Sequence, residues 1–253
     1  MSVVDWRVIG ASVMGVRHQR TGTPCQDYWG HRPLADGVVA IAVADGAGSA
    51  PLAAEGAHAM VENALAAIGT IWERYRPASR QAWRGIVTQA FQVAQQRLLL
   101  RAAAASQPPR AYAATLLVAI MSPELLVCGV VGDCAAVVAF KGGELHSLCK
   151  PQRGEYANQT YFATHHDLGV QLDVQLVEGV VEHLALMTDG LLSLALNLEE
   201  NRPFAPFFTP LFAFASETMN EQEANKALAT FLASDRVNQR TSDDKTLVLL
   251  TRV

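Results

Sequence analysis

The sequence predicts an α+β fold in one domain over residues 1–253, and three observations predict it. From residue 112 to residue 148 the chain runs as short apolar stretches cut by Ser122-Pro123, Gly132-Asp133 and Gly142-Gly143, the pattern of an antiparallel meander whose consecutive strands alternate in direction. Between residues 52 and 98 apolar side chains recur instead at helical spacing, as in two core-facing helices. Half of the 253 residues are apolar, enough for a substantial core, and no repeat, linker or low-complexity run divides them.

Taken in order, residues 6–14 alternate as a first strand and lead into a polar loop holding Arg17, His18, Arg20, Gly22 and Pro24. Asp27-Tyr28-Trp29 opens a second strand. The Ala35-Asp36-Gly37 turn joins it as a hairpin to the buried run 38–44, which brings Asp27 towards the end of the sheet where Asp45 lies. Gly46-Ala47-Gly48-Ser49 is a sharp turn. Val61, Leu65, Ile68 and Trp72 mark one helix and Trp83, Val87, Phe91 and Leu98 the next, with Pro77 between them; their aromatics are packing residues. After the meander, residues 149–168 are polar and irregular, with Pro151, Gly154, Asn158, His165 and His166, and read as a surface excursion beside a site. Residues 182–188 form a strand ending in Asp189-Gly190, with a short helix from Leu191. Residues 203–210 read as a loop, Ala224, Leu228 and Phe231 mark another helix, and Asp243-Asp244 precedes a last strand over 246–250.

Bulk properties exclude several classes of partner. The net charge is −4, with 20 basic and 24 acidic residues intermixed and no basic run to neutralise a phosphate backbone, so no nucleic acid is expected. The longest apolar run, residues 111–121, falls short of the ~20 residues that cross a bilayer, and residues 1–6 lack the basic flank and apolar block of a secretory leader, so neither a membrane span nor a leader is expected. A cytoplasmic protein without a membrane partner is expected. Cys25, Cys128, Cys134 and Cys149 form no C-x-x-C pair and read as free thiols in a reducing compartment.

The chemistry lies in the carboxylates. An Asp-Gly pair is usually only a turn, and Asp36-Gly37 is read so. Asp45, Asp133, Asp189 and Asp243 differ, since each stands at the end or start of an apolar strand. Carboxylates gathered without basic partners raise one another's pKa, so a shared site calls for a divalent cation, and all-oxygen ligation favours magnesium or manganese. Two such ions bridged by a carboxylate can lower the pKa of a shared water and clamp a phosphoryl group. Other chemistries fit less well. Gly46-Ala47-Gly48 has Pro51 where a dinucleotide fingerprint has its third glycine, and no P-loop lysine follows; no cysteine-phosphatase motif and no G-x-S-x-G elbow is present.

The ordered set of Asp27, Ala44-Asp45-Gly46-Ala47-Gly48-Ser49, Thr115 in Ala114-Thr115-Leu116, Gly132-Asp133, Thr188-Asp189-Gly190 and Asp243-Asp244-Lys245-Thr246 resembles the motifs of the type 2C metal-dependent protein phosphatases. Pro24-Cys25-Gln26-Asp27 and the segment 154–160 resemble the divergent bacterial branch. The resemblance implies a four-layer α-β-β-α sandwich, two antiparallel sheets flanked by helix pairs, with two Mg2+ or Mn2+ ions in the cleft and a third, weaker one. Carried over, Asp45 bridges both ions, the Gly46 carbonyl binds the second, Asp189 and Asp243 complete the first, Asp133 serves the third, and Asp27 is counted with them among the metal ligands. Asp45, Asp189 and Asp243 are then the catalytic acids. Segment 155–160 corresponds to a flap beside the site. The family's leaving-group histidine is replaced by Ala47, its Glu-Asp pair by Gln26-Asp27, and its phosphate-binding arginine by Gly22, so Arg20 or Arg17 takes the phosphate, with His18 as proton donor. The implied substrate is a phosphorylated protein, a serine/threonine kinase or its target. Two alternatives stay open: a non-catalytic module of the same fold that binds a phosphoprotein or regulates, and a phosphatase for a small metabolite.

Overall fold

The computed structural model describes residues 4–152, 161–164 and 168–253. Strand β1 (Trp6–Val13) is followed by a short helix, α1 (Val16–Thr21), where a loop was expected. Two things make the polar segment helical: His18 turns inward and is buried, and Gly22, at φ 67°, closes the helix by giving its N–H to the His18 carbonyl. Strands β2 (Asp27–Leu34) and β3 (Val38–Asp45) form the expected hairpin. Asp36 and Gly37 both take positive φ, 67° and 66°, as a tight two-residue turn between twisted strands requires. Its register sets Asp27 directly opposite Asp45.

Helices α2 (Ala53–Arg74) and α3 (Arg80–Ala104) pack against each other, and Ser79 caps the second by accepting the Ala82 N–H. A single 3-10 turn, Pro109–Tyr112, then leads into β4 (Leu116–Met121) and β5 (Leu125–Val131). The expected meander stops there. Strands β6 (Ala135–Phe140) and β7 (Leu145–Ser147) pair with each other but lie in a different sheet, so Gly132-Asp133 is a crossing between sheets and not a hairpin turn. Helix α4 (Leu168–Gln171) precedes β8 (Asp173–Glu178), a half-buried edge strand absent from the sequence reading. Strand β9 (Val181–Met187), helix α5 (Leu192–Ala195) and the small pair β10 (Leu196–Asn197) and β11 (Arg202–Pro203) follow. Residues 203–210, read as a loop, are largely the start of helix α6 (Ala205–Glu217). Pro206 sits in its first turn, where no backbone donor is needed, and burial of Phe207, Phe208, Leu211, Phe212 and Ala215 outweighs the break that Pro210 introduces. Helices α7 (Glu221–Leu232) and α8 (Asp235–Asn238) and strand β12 (Lys245–Arg252) complete the described chain.

The strands form two five-stranded antiparallel sheets, ordered β2-β3-β4-β5-β8 and β1-β12-β9-β6-β7. Their facing sides share a core that includes Val39, Ile41, Val43, Leu117, Val138, Leu186 and Val248. Opposite faces are covered separately, the first sheet by α2 and α3, the second by α6 and α7. Helices therefore flank both sheets, as the four-layer expectation has it. Strand β3 is apolar at every position before Asp45 because alternate residues serve the two faces: Val39, Ile41 and Val43 point between the sheets, and Ala40, Ala42 and Ala44 towards the helices. By the same alternation Asp45 falls on the side between the sheets. Among the described residues, no helix is long and apolar enough to cross a membrane.

Candidate active site

Asp45 stands where β3 leaves the sheet, and Thr115 holds that end: its hydroxyl accepts the Asp45 N–H at 2.9 Å and its N–H donates to the Asp45 carbonyl at 2.8 Å. The following turn is tied down by Gly46 N–H to the Gln26 carbonyl and Ala47 N–H to the Ala113 carbonyl. Asp133 arrives on the crossing between sheets, where Gln152 Oε1 accepts the Gly132 N–H. Asp189 opens a 3-10 turn at the end of β9, and Asp243 lies just before β12. Gly190 has to be glycine: a Cβ there would lie 1.9 Å from the Asp244 carbonyl oxygen.

Asp45, Asp133 and Asp189 each offer a carboxylate oxygen within 4.8 Å of the others. They line a polar pocket of about 330 Å³ together with Asp243, Gln26, Arg17, His18 and Phe162. Arg17 is the one arginine or lysine among the described lining residues, and its side chain is 55% exposed at the rim, 3.8 Å from Asp243. The acids lie close enough to act on one another's charge. Burial, then the charges of Asp27, Asp189 and Asp133, hold the Asp45 carboxyl well above the usual carboxylate range. Burial also pushes Asp189 up to about 8, with Asp133 and Asp243 adding to it. Gln26 Oε1 and Asp27 Oδ1 are buried and meet no N–H or O–H donor among the described residues. A cluster rich in acceptor oxygens fits a hard divalent cation, and Asp45, Asp133 and Asp189 are the side chains that could share one.

Comparison with known proteins decides the family. A profile described as protein phosphatase 2C matches residues 14–233. Serine/threonine-protein phosphatase 3 of Escherichia coli (strain K12) is 35% identical over 256 residues, covering 97% of this chain and 98% of that protein. The chain belongs to the protein phosphatase 2C family. In fold it is similar to the serine/threonine phosphatase Stp1 from Staphylococcus aureus, with a TM-score of 0.66 at 12% identity over 96% of this chain and 94% of that one. It is likewise similar to the catalytic domain of the phosphatase PstP in complex with two manganese ions, with a TM-score of 0.63 at 16% identity over 99% of both chains.

Within this phosphatase the sequence-predicted residues separate into layers. Asp45, Gly46, Asp133, Asp189 and Asp243 all line the pocket. Asp27 does not; it is buried behind Asp45, where Oδ2 accepts the hydroxyls of Thr188 at 2.6 Å and Thr246 at 2.9 Å. Burial raises its pKa to about 7 against the lowering effect of the Thr188 bond. Of the two arginines, Arg17 borders the pocket, and Arg20 is exposed on α1 and does not. His18 borders it as well, with Nδ1 held 2.9 Å from Asp244 Oδ2. The segment 155–160, His165 and His166 lie outside the described residues.

Asp244 was not singled out in the sequence, yet it organises the pocket's wall. It is buried, and besides His18 it accepts the N–H of Gly15 at 2.7 Å and of Gln26 at 2.6 Å. A signal for it exists: Asp244 has the parity of Thr246, Val248 and Leu250, and the last two point between the sheets. Phe162 was also missed, because nothing in its irregular neighbourhood marks it as lining a site.

Proposed function

We propose that this phosphatase removes phosphoryl groups from phosphoserine and phosphothreonine in proteins, using two Mg2+ or Mn2+ ions and a third, weaker one. The observation that carries the proposal is the convergence of Asp45, Asp133 and Asp189, each offering a carboxylate oxygen within 4.8 Å of the others. Asp45, Asp189, Asp243 and the Gly46 carbonyl would hold the principal ions, and Asp133 the third. When bound, such ions supply a water of lowered pKa and neutralise the charge that develops on the phosphoryl oxygens. The chain's own groups do the remaining work. Asp27, anchored by two threonine hydroxyls, fixes the Asp45 carboxylate from behind. Arg17, at the rim, receives the phosphate oxygens. His18, held at Nδ1 by Asp244, would with both ring nitrogens protonated give its Nε2 proton to the leaving alkoxide oxygen of the serine or threonine. The names of the Escherichia coli relative and of the manganese-bound structure support the reading. It places the protein in the cytoplasm, acting on a serine/threonine kinase or on that kinase's targets.

The test is release of phosphate from a phosphothreonine peptide and from an aryl phosphate, with Mn2+, with Mg2+ and with a chelator. Metal-dependent turnover that falls roughly a hundredfold or more in Asp45→Asn, with an unchanged fold, is the expected result. A fully active variant overturns the mechanism. A second reading, a non-catalytic phosphoprotein-binding module, is favoured by one feature: neutral Gln26, whose buried Oε1 meets no donor among the described residues. Calorimetry separates the two, because a protein that takes up no Mn2+ belongs to the second.

A further inference from the structure

A second groove, of about 650 Å³, opens directly from the catalytic pocket, with Ala47, Ser49 and Phe162 bordering both. Its floor is a small apolar cluster of Ala47, Ala50, Ala53 and Ala113, with Phe162 packed against it. Leu99, 38% exposed at the end of α3, Pro108 and Pro109 make the far wall. Arg110 is the one charged side chain among the described lining residues. It is exposed and forms no ion pair with any described carboxylate, although the other arginines bordering acids, such as Arg76 with Asp36 and Arg101 with Glu55, do so. The segment that presents it is held rigidly: Ala111 N–H bonds the Pro108 carbonyl, Leu52 N–H the Ala111 carbonyl, and the Arg110 carbonyl accepts the Ala113 N–H. Two prolines fix the backbone just before it. The backbone that carries the cation is thus fixed and connected to the Asp45 turn through the Ala47–Ala113 bond, and the cation has no ion-pair partner among the described residues.

We infer that this groove is the enzyme's peptide subsite, and that Arg110 selects substrates carrying an acidic residue, next to an apolar one, beside the phosphorylated serine or threonine. The inference rests on the phosphatase reading above. It follows from continuity with the pocket and from charge: this apolar surface runs on from the acidic pocket that would seat the phosphate, and the one charged side chain among its described lining residues is positive. Shallow apolar walls accept a side chain without strict shape selection, so the discrimination falls to the arginine.

The experiment uses the full chain with Mn2+ at low salt and three substrates: an aryl phosphate and two phosphothreonine peptides that differ only by Glu or Lys at the flanking positions, scanned on both sides. The wild type is expected to favour the Glu peptide about fivefold in kcat/KM, mostly through KM, as an exposed ion pair of about 1 kcal/mol gives. Arg110→Glu reverses the preference and Arg110→Lys retains it. Aryl phosphate turnover is the same in all three proteins, since Arg110 touches no part of the catalytic pocket. Unchanged peptide preference in Arg110→Glu, with aryl phosphate still hydrolysed, overturns the subsite and leaves the phosphatase standing. Absence of turnover on every substrate overturns both.

Discussion

Arg17 and Arg20 lie one helical turn apart on α1, and the fold treats them differently. Arg17 reaches back over the pocket rim towards Asp243, whereas Arg20 projects from the closing turn into solvent. The sequence could not choose between them, because helix α1 was unread and the facing of the two side chains depends on it. The expected outcome is unequal: Arg17→Ala lowers kcat/KM roughly tenfold on both peptide and aryl phosphate, the loss of one exposed charge-assisted bond to phosphate, and Arg20→Ala leaves both unchanged. Steady-state kinetics on the two variants decide it. The acids themselves were legible. Asp45 and Asp189 each follow an apolar strand and precede a glycine, and that juxtaposition survives without any knowledge of which strands are neighbours. Asp27 was legible only as belonging to the same end of the sheet. Its position behind Asp45 is set by the hydroxyls of Thr188 and Thr246, which come from strand ends in the other sheet.

At the scale of elements, what was readable followed local chemistry, and what was not followed tertiary packing. The β2–β3 hairpin and the long helices α2 and α3 carry their own turn residues and period. Helix α6 does not; its two prolines read as loop, and only the apolar stripe packed on the second sheet makes it a helix. Strand β8 was missed because an edge strand half exposed along its length lacks the apolar run that marked the others. Contact between the turn after β9 and the start of β12 brings the acid-bearing ends together, and Gly190 is its hinge point. An alanine there meets the Asp244 carbonyl oxygen and forces the two ends apart. Gly190→Ala is therefore expected to cost about 2–3 kcal/mol, seen as a melting temperature lower by roughly 5–10 °C, and to weaken Mn2+ binding. A thermal melt and a metal titration on the variant check both parts. An unchanged affinity would show that Asp189 and Asp243 are positioned independently of this contact.

For the whole molecule, the two sheets meet on an apolar core whose one end is charged, and the cost of that end depends on pH. The sequence showed that the acids existed and left open which sheet carried each strand, since short apolar runs such as those of β5 and β6 look alike whichever sheet they join. It is the pairing of sheets that buries the acids. Burial raises Asp189 from the usual 3.8 to about 8 and Asp27 to about 7. Between those limits the metal-free folded protein holds protons that the unfolded chain has released, so its stability is greatest below about pH 4 as far as these groups are concerned. That contribution is lost as pH rises through 7 and 8. A divalent cation takes the place of the protons, so its stabilising effect grows over the same window. In chelator, the melting temperature of the wild type is expected to fall from pH 5 to pH 8 more steeply than that of Asp189→Asn, which has no proton to lose at that position. With saturating Mn2+ the wild-type slope flattens. Equal slopes for the two proteins in chelator would mean that Asp189 ionises in the fold as freely as in the open chain, and that the sheets do not bury their acids at the cost the geometry implies.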